Sequence, residues 1–413
     1  MLDIIATCLV ITALLAYLNH RFVGLPTTIG VMAAALVLTL VLVGLDAVGV
    51  AQALREYEES LLLSIQFSDV VLQGMLSLLL FAGALHVDLS ELSAYRWPVA
   101  ALALLGTLLS TFAVGYGLWF ALPVMGLELS LTYCLLFGAL ISPTDPIAVM
   151  SILKSAGAPK ELELVIAGES LFNDGVGVVI FSLMLGMLRT GLAPTPEEGL
   201  RLLAQEAGGG LLYGVALGYV TFRLLKSVDS YQVEVLLTLA AAVGGYALAY
   251  RLHVSGPLAM VVAGLIIGNH GRALAMSDTT RHYLDIFWEM IDEILNLLLF
   301  ALIGMEVLFL VFSITQYALA AAMAIAVTVS ARLLTVGLPV GMLPRFFNLP
   351  RGSWKVLTWG GLRGGISVAL ALTLPAGSER DTVVAVTYWV VVFSILAQGL
   401  TIGHITRNAI ARG

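Results

Sequence analysis

Long apolar stretches recur along the whole chain and restrict it to a fold embedded in a membrane. A helix needs about 17 to 25 apolar residues to cross a bilayer. Of the 413 residues 60% are hydrophobic and 11% are charged, whereas soluble domains carry about 25% charged residues. The chain holds about thirteen such stretches, at roughly 3–19, 26–44, 67–85, 97–123, 128–152, 162–188, 208–226, 232–251, 256–269, 284–312, 316–343, 353–374 and 382–406. The sequence therefore predicts an all-α polytopic membrane protein.

The distribution of basic residues predicts how the chain is oriented. Cytoplasmic loops are enriched in Lys and Arg, and the loops on one side hold most of them, including Lys154, Lys160, Arg345 and Arg407. This places the C-terminus in the cytoplasm and, for an odd number of spans, the N-terminus outside the cell membrane. The first stretch has an acidic Asp3 and no basic n-region, so we expect a retained span rather than a signal peptide.

Composition argues against several other classes of partner. The net charge of -7 is spread over the loops without a basic block, which excludes nucleic acid. Cys8 and Cys134 both lie in apolar stretches, so neither a disulfide framework nor a metal-ligand spacing exists. No cofactor is expected. The connections at about 46–66 and 189–207 are predicted to be short acidic loops.

The sixth apolar stretch contains a cluster of polar side chains. Residues 168–174 read Gly-Glu-Ser-Leu-Phe-Asn-Asp. Ionisable groups at membrane depth cost about 2.5 to 3.5 kcal/mol each and so mark function. Positions four apart stack on a helix, which sets Ser170 above Asp174 and Glu169 above Asn173. An oxygen pair such as Ser170 and Asp174 suits a small hard cation.

Two of the predicted spans are interrupted. The fifth contains Ser-Pro-Thr-Asp-Pro at 142–146, where the prolines remove backbone donors. The twelfth contains four glycines within 360–365, which weaken a helix. Spans five and twelve differ by seven, and an odd difference means that they cross the membrane in opposite directions. This predicts an inverted repeat in which spans 1–6 correspond to spans 8–13, with the seventh span as linker. Paired interrupted spans are typical of the binding site of a secondary transporter.

Each interruption carries a charge that suits the end of a half-helix. Helix N-termini present partial positive charge and C-termini partial negative charge. Asp145 can therefore offset the positive charge of an N-terminus, and Arg363 can offset the negative charge of a C-terminus. Backbone carbonyls near Pro143 and Thr144 are expected to serve as cation ligands, because irregular backbone in a membrane can line a cavity.

Other polar positions are less informative. Glu289, Asp292 and Glu293 are predicted to belong to the solvated end of the tenth span, whereas Glu306 lies deeper and is either a structural partner or part of an ion route. Glycines 210, 214 and 218 form a stripe on the seventh span that predicts close helix packing.

Three motifs in order give the chain a family resemblance. Thr144-Asp145-Pro146, the segment 168–174 and Gly361-Leu362-Arg363-Gly364 resemble the NhaP/NHE branch of the monovalent cation/proton antiporters. The resemblance covers essentially the whole chain. It implies a scaffold and dimer domain from 1–96 (spans 1–3) and 231–313 (spans 8–10), a core transport domain from 97–190 (spans 4–6) and 314–413 (spans 11–13), and a linker helix at 191–230. It also implies a homodimer.

The resemblance assigns roles to individual residues as well. It implies that Asp174 carries the cation or the proton and that Asp145, Ser170, Thr144 and Asn173 also bind the ion. The Na+ ligands are expected to be Asp174, Asp145, Ser170 and Thr144. Electrogenic relatives carry a second aspartate where this chain has Asn173, which implies electroneutral exchange of one cation for one proton.

Glu169 is implied to pair with an arginine of span eleven, here Arg332. Pairing is physically reasonable, because an unpaired buried charge is heavily penalised. Arg363 is the competing partner.

The function predicted is secondary antiport of Na+ or Li+ against H+ for pH and sodium homeostasis. Cation and proton would compete for Asp174 while the core domain alternates its access. A K+/H+ antiporter of the same fold is the first alternative, since selectivity depends on cavity size and ligand number. A cation channel is a weaker alternative, because no repeated filter loop exists. A hydrolase using Ser170 lacks an activating histidine or lysine on a nearby span.

Overall fold

The computed structural model describes residues 2–50, 67–191, 196–306 and 314–410, and within these ranges the chain is helical without strands. We number its principal helices α1 to α13. The first seven include an interrupted α5: α1 (Asp3–Val23), α2 (Thr27–Asp46), α3 (Phe67–Leu85), α4 (Arg96–Met125), α5a (Leu131–Ile141), α5b (Ile147–Ser155), α6 (Lys160–Thr190) and α7 (Glu197–Leu225).

The second half follows the same pattern and includes an interrupted α12. Its helices are α8 (Tyr231–Arg251), α9 (Gly256–Leu274), α10 (Asp278–Glu306), α11 (Tyr317–Met342), α12a (Ser353–Trp359), α12b (Gly365–Leu372) and α13 (Ser378–Ala409). Ten of the helices in the described ranges are long and apolar enough to cross a membrane. The chain is therefore a multi-pass membrane protein. The count of thirteen spans and the inverted repeat stay predictions.

The structure corrects two of the predicted boundaries. The segment 189–207, predicted to be a loop, begins with the last two residues of α6, and from Glu197 onward it forms the first part of α7. Its acidic and basic residues misled the prediction, because a charged helix end can extend a span beyond its apolar part. The predicted start of the tenth span at 284 is also late, since α10 begins at Asp278. Most of the predicted loop 46–66 lies outside the described residues.

Many of the most extensive helix contacts fall into two groups, although α6 also contacts α9 and α3 also contacts α12b across them. In one, α4 packs against α5a and α11, and α13 packs against α11 and α12b. In the other, α9 packs against α3 and α7, and α10 packs against α2. This division follows the predicted core and scaffold ranges, whose assignment as domains remains a proposal.

Small residues bring α7 and α9 close together. A side chain at Gly210 or Gly214 would meet the backbone oxygens of Ser255 and Ala259 at 2.7 Å, and one at Gly218 would meet Ile266 at 3.1 Å. Close approach of this kind is how helices associate in lipid, where the hydrophobic effect does not drive them together. The predicted packing role of the glycine stripe is therefore the observed one.

Candidate functional site

The interruption of α5 lies against the interruption of α12. Residues 142–146 are non-helical between α5a and α5b, as the two prolines dictate. The backbone amide of Asp145 donates to the carbonyl oxygen of Leu362 at 2.8 Å. The two irregular segments thus satisfy each other's backbone groups, which lipid could not do.

Glycines in the α12 interruption make room for charged side chains. A Cβ atom at Gly364 would overlap with the carboxylate of Asp145, and one at Gly361 would lie 2.6 Å from Nε of Arg332. On the α6 side, a Cβ atom at Gly177 would overlap with the ring of Pro143. These glycines therefore serve close approach rather than chain flexibility.

Arg363 lies at the C-terminal end of α5a. Its Nη1 donates to the carbonyl oxygens of Ser142 at 2.6 Å and Pro143 at 2.8 Å, and its backbone amide donates to Oγ of Ser394 at 2.8 Å. A cation at a helix C-terminus is favoured by the helix dipole. The Pro143 carbonyl, expected from the sequence to serve as a cation ligand, thus already accepts from Arg363.

Asp145 lies at the other end of the same interruption, next to α5b. Its Oδ1 accepts from the backbone amide of Ile147 at 2.9 Å, at the N-terminal end of α5b. The carboxylate thereby satisfies an amide that has no partner within the helix, and its charge faces the positive end of the dipole. The half-buried side chain retains oxygen atoms for a further ligand.

Thr144 joins the interrupted segment to α6 through three hydrogen bonds. Its hydroxyl lies 2.9 Å from the hydroxyl of Ser170 and accepts from Nδ2 of Asn173 at 2.9 Å. Its backbone amide donates to Oδ1 of Asn173 at 3.2 Å. The Asn173 amide therefore uses both of its ends on Thr144, so its main observed role is to fasten the two elements together.

Glu169 and Arg332 form a buried ion pair. Nη1 of Arg332 lies 2.5 Å from Oε1 of Glu169 and Nη2 lies 3.0 Å from Oε2, a bidentate arrangement. Nε of Arg332 donates to the carbonyl oxygen of Leu357 at 3.2 Å. Arg363 makes its hydrogen bonds elsewhere, with Ser142 and Pro143.

A cavity of about 150 Å³ opens beside these elements. Asp174, buried except for 8% of its surface, lines it together with Thr144 and Asp145. Ser170 and Asn173 are not among its lining residues; they lie behind Thr144. The structure thus gathers all the predicted oxygen ligands in one place, and of these ligands Asp145, Asp174 and Thr144 face the cavity.

A second cavity approaches the same place from the other end of α3 and α6. It has a volume of about 420 Å³ and is lined by the first half of α3, from Asp69 to Leu76, and by the last part of α6, from Val178 to Arg189. The cavity at Asp174 instead touches α3 from Leu76 to Gly83. Leu76 lines both cavities and is itself buried, so it marks the barrier between them.

Two residues at the cavity were missed in the sequence. Asp292 and Asn296, one helical turn apart on α10, line it together with Asp174. The prediction that Asp292 belongs to the solvated end of its span is wrong, because α10 begins fourteen residues earlier at Asp278. Their spacing of four was the available signal. Glu289 and Glu293 are exposed, as that prediction had them.

The combined features define a class of protein. Two interrupted helices that meet at a buried carboxylate cavity, with a separate cavity behind a thin barrier, are characteristic of ion-coupled secondary transporters. Residues 10–408 match the family described as sodium/hydrogen exchanger, transmembrane. The chain belongs to the sodium/hydrogen exchanger family and is a transport protein rather than an enzyme.

Individual relatives agree with this assignment. The chain is 56% identical to the Na(+)/H(+) antiporter NhaP of Pseudomonas aeruginosa, over 100% of this chain and 97% of that protein. It is 34% identical to the Na(+)/H(+) antiporter NhaH of Halobacillus aidingensis, over 89% and 90% of the two chains. Its fold resembles the solved sodium proton antiporter MjNhaP1 of Methanocaldococcus jannaschii, with a TM-score of 0.78, 19% identity and coverage of 98% and 97%. The predicted family and fold class are therefore confirmed.

Proposed function

We propose that this protein exchanges Na+ or Li+ for H+ across the cell membrane, with both ions competing for the carboxylate of Asp174. The observation that carries the proposal is the position of Asp174 in a buried cavity that it shares with Asp145 and Thr144. Oxygen ligands of this kind suit a hard monovalent cation. Because one cation replaces one proton at Asp174, the site carries the same net charge in both directions.

The proposed cation shell comprises Asp174, Asp145, Thr144 and Ser170, with Asn173 at its border. Two of these face the cavity with carboxylates that can accept a cation directly. Ser170 reaches the shell through its hydroxyl contact with Thr144 at 2.9 Å. Asn173 supports the shell by holding Thr144 in place.

Alternating access is proposed to come from movement of a core domain against a scaffold. The core comprises residues 97–190 and 314–413, and the scaffold comprises residues 1–96 and 231–313, joined through the linker 191–230. The clustering of the most extensive helix contacts into two groups supports this division. The scaffold is proposed to form a homodimer, and the excess of Lys and Arg in alternate loops supports a cytoplasmic C-terminus and an external N-terminus.

The exchange is proposed to be electroneutral, with one cation for one proton. The pair Asn173-Asp174 contains a single carboxylate, which supports this ratio, because a second acid in place of Asn173 would add a second proton site. The Glu169–Arg332 pair is proposed to be structural, since both charges are already matched to each other.

Reconstitution into liposomes tests the proposal. Purified wild-type protein should release protons when Na+ or Li+ is added, and Asp174→Asn should abolish this flux, because a carboxamide neither titrates nor balances a cation. Glu161→Gln is the matched control, since it removes an exposed carboxylate from the first turn of the same helix. Wild-type flux in Asp174→Asn refutes the proposal. A response to K+ alone would instead identify a K+/H+ antiporter.

A further inference from the structure

Asp292 and Asn296 lie where two cavities meet. Besides the cavity at Asp174, both residues line a cleft of about 340 Å³. Its other walls come from Thr27 and Thr28 at the start of α2 and from Ser151 and Ser155 on α5b. Ile147 lines both cavities as well, so a cation that passes from this cleft to Asp174 passes Asp292, Asn296 and Ile147.

Asn296 has an oxygen atom without a hydrogen-bond donor. Its side chain is 1% exposed, and its Nδ2 donates to the backbone carbonyl of Asp292 at 2.8 Å. This bond fixes the orientation of the amide, so the remaining atom is Oδ1, an acceptor. Within the described part of the chain, Oδ1 has no partner. A buried acceptor left in this way costs about 1 to 3 kcal/mol unless a ligand satisfies it.

The carboxylate of Asp292 supplies the charge that such a ligand would need. Asp292 is half-buried, makes no ion pair among the described residues, and lines both cavities with Asn296. An anionic oxygen and a carbonyl-type oxygen that line the same two cavities can bind a hard cation together, because hard cations prefer such oxygens. Metals that prefer nitrogen or sulfur are not favoured by these ligands.

We propose that Asp292 and Asn296 form a second binding site for a monovalent cation, which receives Na+ from the cleft before it reaches Asp174. The site rests on the proposed exchange at Asp174 and adds an entry step to it. It raises the local concentration of Na+ at the cavity without taking part in the competition with the proton.

Transport kinetics supply the first test. In proteoliposomes, Asp292→Asn and Asn296→Leu should each raise the Na+ KM about tenfold, the factor expected for losing one ligand of a cation. Maximal rates should stay within about twofold of wild type, since Asp174 is untouched. Asp292→Glu keeps the charge and should restore a KM within about threefold of wild type.

Glu293→Gln is the matched control, because Glu293 is the next residue, is exposed, and lines only the outer cleft. It should leave the Na+ KM within about twofold of wild type. An equal rise of KM in Glu293→Gln would show that the cleft acts through its overall charge, which would overturn the site. Unchanged KM values in both Asp292→Asn and Asn296→Leu would overturn it as well.

Binding measured without transport gives the second test. Sodium NMR line broadening by the detergent-solubilised full chain should persist in Asp174→Asn and disappear in Asp174→Asn/Asp292→Asn. Equal broadening in these two variants would overturn the second site. Failure of the exchange proposal has a different signature, namely proton flux that survives Asp174→Asn.

Discussion

Replacing Arg332 with methionine should destabilise the protein more than any loss of a surface ion pair. The change leaves Glu169 as a charge in a site where its side chain is 1% exposed. It also leaves the Leu357 carbonyl without the donor at 3.2 Å. Methionine matches the length of the arginine stem, so the effect of lost volume is small.

The magnitude follows from burial. Removing one partner of a buried ion pair costs about 3 to 5 kcal/mol, because the remaining charge is uncompensated. Loss of the hydrogen bond to Leu357 adds about 1 kcal/mol. Removing both charges, as in Glu169→Gln/Arg332→Met, should recover most of this loss, since a buried pair and a neutral replacement differ little in stability.

Equilibrium unfolding in mixed detergent micelles measures these differences. The control is Lys160→Met, which breaks the ion pair with Glu91 at the same 2.5 Å distance but at 69% and 37% exposure. That pair should contribute less than about 1 kcal/mol. The reasoning is refuted if Arg332→Met is no more destabilising than Lys160→Met, or if the double variant is as unstable as Arg332→Met.

Two further predictions concern transport. Gly364→Ala should reduce Na+-driven proton flux in proteoliposomes by at least about tenfold, because the new Cβ atom would displace the Asp145 carboxylate. The control Gly44→Ala, on the open face of α2, should transport normally. Equal flux in the two variants would contradict this prediction. The initial rate of exchange should be unchanged by a potassium diffusion potential of either sign across the liposome membrane, since one cation replaces one proton, and a clear voltage dependence would rule out the proposed stoichiometry.

Much of the architecture could be predicted from local chemistry. Apolar stretches of membrane-spanning length located the helices, because a backbone in contact with lipid must form all its hydrogen bonds within the segment, as a helix does. Prolines at 143 and 146 located one interruption, and the glycines at 360–365 located the other. Each of these signals is contained in a single segment of sequence, so it can be recognised without knowledge of the tertiary structure.

The pairing of partners across the fold could not be predicted in the same way. Arg332 and Arg363 are both buried arginines of the second half, and the sequence alone does not say which one meets Glu169. The structure separates them by geometry, since Arg363 is held by the carbonyls of Ser142 and Pro143. The role of Asn173 likewise depends on Thr144, a residue in the interruption of α5.

Asp292 was missed for a related reason. Its neighbours Glu289 and Glu293 are exposed, so the local composition resembles a solvated helix end. Only the packing of α10 beside the interrupted helices brings one face of that acidic stretch to the cavity. Helical periodicity identifies the face of a helix but not the element that this face meets.

The two hydrogen bonds between Asn173 and Thr144 have a consequence for ion selectivity. Together with the Ser170 contact, they tie the interrupted α5 to α6, and we propose that the cation ligands on these two elements move as one body. In the proposed cycle this body changes the side to which it opens without changing its internal distances. The order of preference among Na+, Li+ and K+ is then set once, and it is the same whether an ion arrives from the cytoplasm or from outside.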